Sequence, residues 1–126
     1  MAVENLLLAK TFTVSGNDLS AAADQYIFVK AGATSPQVVA AAASDPTLGI
    51  SQATAKTTAG ISIGLEGISK LRLGGTVHHG SLLRADASGL GVMHLGLGPY
   101  GAQALEDGSS GEVIEVKILT GLASSS

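Results

Sequence analysis

A period of two constrains this chain more than any other feature. Ile61, Ile63 and Leu65 alternate with Ser62, Gly64 and Glu66, and Ile114, Val116 and Ile118 alternate with Val113, Glu115 and Lys117. Successive strand residues point to opposite faces, so this pattern makes half-buried β-strands and cannot line one face of a helix. No amphipathic stretch long enough for a substantial helix accompanies it. Strands are also expected at Lys10–Val14, Tyr26–Val29, Gln37–Ala40, from Gly49 to Ala53, Ile68–Leu73, Ser81–Arg84, Val92–Met93 and Tyr100–Leu105. Turn residues separate them: Ser15-Gly16-Asn17-Asp18, Ala31-Gly32, Asp45-Pro46, Lys56 to Gly60, Gly74-Gly75, Asp86-Ala87-Ser88-Gly89 and Glu106 to Gly111. Leu19 to Asp24 has room for one helical turn capped by Asp18.

Short strands with turns about every 8–12 residues signal a sandwich or barrel. The pattern also recurs. Gly49 and Gly60 each lead into a strand, as do Gly101 and Gly111, at offsets of 52 and 51 residues. The expected fold is all-β: a compact sandwich or barrel of short antiparallel strands built from two similar hairpin pairs, with an extended N-terminal arm. Residues 1–18 would form the arm and first strand. Residues 19–120 would form one β domain, with quasi-repeats at about 25–67 and 80–119, and 121–126 a flexible tail.

Composition narrows the function. Of 126 residues only 13% are charged and 3% aromatic, while 45% are hydrophobic, so the core is made of Ala, Val, Ile and Leu. The charged share is about half the usual quarter, which leaves Ser, Thr, Gly and Ala on the surface or another protein covering it. A net charge of −3 argues against a nucleic-acid partner. Without Cys there is no disulfide framework and no Cys-based zinc site. Glu4 near the N-terminus and the short Leu6-Leu7-Leu8-Ala9 run do not suit a secretory signal, so synthesis in the cytoplasm is expected. The longest uncharged run, Ala87 to Leu105, contains five Gly, Pro99, His94 and Gln103 and does not suit a membrane helix.

Little in the chain reads as catalytic, and neither cofactor nor metal is expected. His78, His79 and His94 are the one cluster that suggests a metal, yet adjacent His residues on a strand face opposite ways. Gly60-Ile61-Ser62-Ile63-Gly64 has the letters of a nucleophile elbow but lies in an alternating strand. Gly96-Leu97-Gly98-Pro99-Tyr100-Gly101 shares only its glycines with a dinucleotide-binding loop. Glu106, Asp107, Glu112 and Glu115 gather around one hairpin. Lys70, Arg72, Arg84 and Lys117 could pair with these acids within the chain or across a subunit interface, which makes Lys70, Arg72, Arg84, Glu106, Glu112 and Glu115 candidate interface residues.

The stretch Gly64-Leu65-Glu66-Gly67-Ile68-Ser69-Lys70-Leu71-Arg72-Leu73-Gly74-Gly75-Thr76-Val77, then Gly80-Ser81-Leu82-Leu83-Arg84-Ala85-Asp86-Ala87-Ser88-Gly89, resembles the small capsid decoration (cement) proteins of tailed bacteriophages, the DUF2190-type family. Gly101-Ala102-Gln103-Ala104-Leu105-Glu106 and Gly111-Glu112-Val113-Ile114-Glu115-Val116 continue the resemblance, which covers roughly residues 20–119. His78-His79-Gly80-Ser81 departs from it, as does the longer segment from Thr34 to Asp45. The resemblance implies a non-enzymatic virion protein on the outer capsid surface. Such a protein is commonly a homotrimer that bridges neighbouring major capsid protein subunits. It also implies an N-terminal attachment arm, for which Met1 to Val14 is the candidate, with Leu6, Leu7, Leu8, Phe12 and Val14 as capsid contacts. The alternative is a virion-surface module for a host glycan or receptor.

Overall fold

The computed structural model describes residues 5–14, 19, 25–32, 37–42, 47–56, 59–94 and 98–123, with backbone alone at 5–8 and 120–123. Among the described residues nine strands form: β1 (Asn5–Val14), β2 (Phe28–Ala31), β3 (Gln37–Ala40), β4 (Gly49–Ser51), β5 (Gly60–Arg72), β6 (Leu82–Ala85), β7 (Gly91–Met93), β8 (Gly98–Ala104) and β9 (Val113–Ala123). No helix occurs among the described residues, and the fold is an all-β barrel. The helical turn expected at Leu19 to Asp24 falls mostly outside the described residues, as does the turn at Ser15 to Asp18.

The strands bond in the order β1-β3-β2-β4-β5-β9-β8-β6-β7, and β1 also pairs with β5. That extra pairing closes the first five into a barrel. The other four continue from β5. A parallel bridge between Leu73 and Gly91 brings β7 back to the end of β5, so they too form a ring.

The two rings match pair for pair. Phe12 opposes Ile61 in the first, and Leu71 opposes Ile114 in the second. Ile50–Gly64 is answered by Gln103–Lys117, and Phe28–Ile50 by Leu82–Gln103. Val29–Ala40 is answered by Leu83–Met93, and the parallel contact Val14–Val38 by Leu73–Gly91. Outside the strands, the Leu19–Ala55 bridge is answered by Val77–Gly108. Thus β5 is the last strand of one ring and the first of the next.

The repeat expected from sequence exists, but its register differs. Ile61 and Ile114 stand 53 positions apart, so Gly49 corresponds to Ala102 and Gly60 to Val113. The glycines used to align the halves serve unrelated needs. Gly111 sits in a turn at φ +87°, a conformation that suits glycine, and Gly101 lies against Phe28.

Each ring has its own core. Val14, Leu19, Ile27, Val29, Val38, Ile61 and Ile63 fill the first. Leu71, Leu73, Val77, Leu83, Ile114, Val116 and Ile118 line the second, with Ala85, Ala102 and Ala104. Phe28 and Val29 are neighbours on β2, so they point opposite ways. Val29 fills its own ring, whereas Phe28, with Ile50 and Ala41, packs into the second cluster. Full burial of a Phe side chain contributes about 1.5–3 kcal/mol, so this one residue ties the rings together.

One role and one boundary differ from the expectation. The extended N-terminal segment pairs along β5 from Asn5–Ile68 to Thr13–Gly60, which makes it a wall of the first barrel. The segment from 121, expected as a tail, begins inside the sheet: β9 runs to Ala123, where it pairs with Gly98.

Candidate functional site

The structure places each residue that suggested metal or covalent chemistry. Among the described residues no group of three or more His, Cys, Asp or Glu could hold a metal ion. His78 and His79 are exposed, and the His79 backbone N–H donates to Asp107 Oδ1 at 2.7 Å. His94 Nε2 lies 2.9 Å from the Gly98 carbonyl oxygen, and its ring meets Tyr100 edge-on at 5.8 Å. Ser62 sits mid-strand opposite Thr11, with no strand-to-helix elbow around it. Gly98-Pro99-Tyr100-Gly101 opens β8, and no helix follows to cradle a phosphate.

The acidic hairpin is similarly engaged. Glu112 Oε1 accepts the Ser109 N–H at 2.6 Å, and Glu106 Oε2 accepts the Glu115 N–H at 2.8 Å. These are charge-assisted bonds that hold a turn. Arg84 Nη1 donates to the Ala85 carbonyl at 3.1 Å, on β6. Glu106, Glu112 and Arg84 therefore have intrachain roles that the sequence left open.

The structure does bring three of the candidate interface residues onto one face. On β5, Ser69, Leu71 and Leu73 are buried, while Ile68, Lys70 and Arg72 alternate with them and lie half-buried on the outside. On β9 the buried residues are Ile114, Val116 and Ile118, and Val113, Glu115 and Lys117 face outward. The register sets Ile68 opposite Lys117, Lys70 opposite Glu115 and Arg72 opposite Val113. Lys70 and Glu115 are thus direct cross-strand neighbours of opposite charge, a pairing worth about 0.2–1 kcal/mol.

Tyr26 borders this face and was not marked by any sequence motif. Its carbonyl accepts the Arg72 N–H at 2.7 Å, and Lys70 Nζ sits 5.4 Å from the centre of its ring. Among the described residues it is the only non-glycine with positive φ, at +65°. A left-handed backbone costs an ordinary residue about 1–2 kcal/mol. Gly80 holds the corresponding place in the second ring. Tyr26 N–H donates to Ser51 O at 2.9 Å, and Gly80 N–H to Ala104 O at 2.8 Å. Gly80 has φ +89°. The same backbone position thus carries glycine in one ring and tyrosine in the other. Only knowledge of the repeat register could have exposed that contrast in the sequence.

The residues expected to reach a capsid from an arm divide differently. Val14 is 1% exposed and belongs to the first core, so it cannot be a docking contact. Phe12 is half-buried against that core, with Lys10 Nζ 5.5 Å from its ring centre. Leu6 and Leu8 pair with Gly67 and Glu66 through a strand irregularity that takes in Leu7. The side chains of Leu6, Leu7 and Leu8 lie outside the described residues.

No family model and no curated protein matches the chain. No helix of the described residues is long and apolar enough to cross a membrane.

Proposed function

We propose that this chain is a capsid decoration protein of a tailed bacteriophage. It would sit as a homotrimer on the outside of the assembled shell and bridge neighbouring major capsid subunits. The reading is carried by the order of motifs from Gly64 to Val116. Their physical content supports it: Asp86 to Gly89 forms a tight hairpin turn with Gly89 at φ +81°, and Glu112 to Val116 enters a strand of the same sheet. The low charge supports it too, because a surface poor in Lys and Glu suits burial between subunits. A ligand that binds the closed lattice but not free subunits stabilises the lattice by mass action. No bond needs to be made or broken for that.

The test is to mix the purified protein with undecorated capsids of its phage and image the particles by cryo-EM. Extra density at three-fold or quasi-three-fold positions is expected, with a higher temperature of capsid disruption. Particles that stay bare at saturating protein overturn the reading.

A further inference from the structure

We infer that Met93 is an oxidative modification site, at which peroxide converts the thioether to a sulfoxide and loosens the closure of the second ring. Met93 is the one methionine among the described residues. It lies on β7 directly opposite Leu83 of β6, and side chains paired in this way share a face of the sheet. Leu83 is fully buried in the second core, whereas Met93 packs against that core and stays half-buried. The thioether thus has apolar neighbours on one side and is within reach of solvent on the other.

The direction of the sulfur is also marked. Ser81 Oγ donates to Met93 Sδ at 3.7 Å, so a lone pair of the sulfur is turned towards a half-buried hydroxyl and away from the core. A peroxide that reaches such a lone pair transfers one oxygen to it. The O–O bond breaks, the S–O bond forms, and the other oxygen leaves as water. The sulfur loses two electrons and the peroxide gains them. The product carries a polar, chiral group in place of a flexible apolar one. That group is costly to bury beside Leu83, and its oxygen accepts the Ser81 hydroxyl more strongly than the sulfur did. The consequence falls on a short strand. β7 has three residues, which pair with β6 and reach the end of β5 through the Leu73–Gly91 bridge. Methionine sulfoxide reductases reverse the step, so the change is a switch. It does not depend on the capsid reading.

The experiment treats the full chain and Met93→Leu, a swap of nearly equal volume, with hydrogen peroxide, both folded and in concentrated urea. Peptide mass spectrometry follows the gain of one oxygen at Met93, and thermal melts follow the fold. Met93 of the folded chain should react within roughly tenfold of its rate in urea. The midpoint of the treated parent should fall by about 2–8 °C, and methionine sulfoxide reductases should restore both mass and midpoint. Treated Met93→Leu should melt as it did before treatment. Reversal by the reductases decides the matter if Met93→Leu does not fold. A Met93 that reacts only in urea, a sulfoxide that leaves the midpoint unchanged, or an equal fall in Met93→Leu overturns the inference.

Discussion

The ring of Phe28 occupies the space that a side chain at position 101 would need. A β-carbon on Gly101 would come within 2.7 Å of Phe28 Cε1, closer than such atoms approach one another. Phe28 belongs to the first ring and Gly101 to β8 of the second, so their fit holds the two rings at contact distance. Gly101→Ala should therefore destabilise the protein by about 1–3 kcal/mol through overpacking. A lower urea midpoint with an unchanged slope is the expected readout.

Phe28 and Leu82 hold corresponding places on β2 and β6, but their surroundings differ. Phe28 is 0% exposed and reaches into the neighbouring core, whereas Leu82 is half-buried on the outer side. Phe28→Ala should cost about 3–5 kcal/mol. Leu82→Ala should cost about 1 kcal/mol. Chemical denaturation of the two variants side by side checks the contrast.

Removal of residues 1–14 should open the first barrel. The deletion takes away the strand on one edge of β5 between Gly60 and Ile68, the pairing that closes the first barrel, and with it the buried Val14. Circular dichroism should show loss of the cooperative thermal transition. A deleted chain that melts as sharply as the parent would show that β1 is dispensable for closure.

Asp86 should prove to be the key polar residue of the β6–β7 turn. Its Oδ1 accepts the N–H of Ser88 at 2.8 Å and of Leu90 at 3.0 Å. Asp86→Ala leaves those donors without their acceptor and should lose about 1–2 kcal/mol. Asp86→Asn keeps an acceptor oxygen and should recover most of that loss. Thermal melts of the pair measure it.

Much of the fold was legible because strands announce themselves locally. Ile61, Ile63 and Leu65 alternate as a half-buried strand must, and Asp86 to Gly89 reads as the turn it forms. Partner choice was not legible. Nothing local in Lys10 to Val14 says that this strand lies against β5, because the pairing depends on closure of the barrel by residues some fifty positions away. The charged face was half visible: Lys70, Arg72 and Glu115 could be picked out by charge, but their placement on one side needed the β5–β9 register. Tyr26 stayed hidden because a left-handed φ is a property of the folded backbone.

One edge of β9 shows how the series of strands ends within the chain. On β5, the edge at Ile68, Ser69 and Lys70 is filled by Lys117, Val116 and Glu115 of β9. On β9 the corresponding positions, Gly121, Leu122 and Ala123, pair with Tyr100, Pro99 and Gly98. The start of β8 thus takes the berth where a further strand would add, and Pro99 brings no N–H to the ladder. The end of the ladder is plugged from within the chain. A further strand, the hazard of any long exposed β edge, therefore has no place to add directly along this edge of β9.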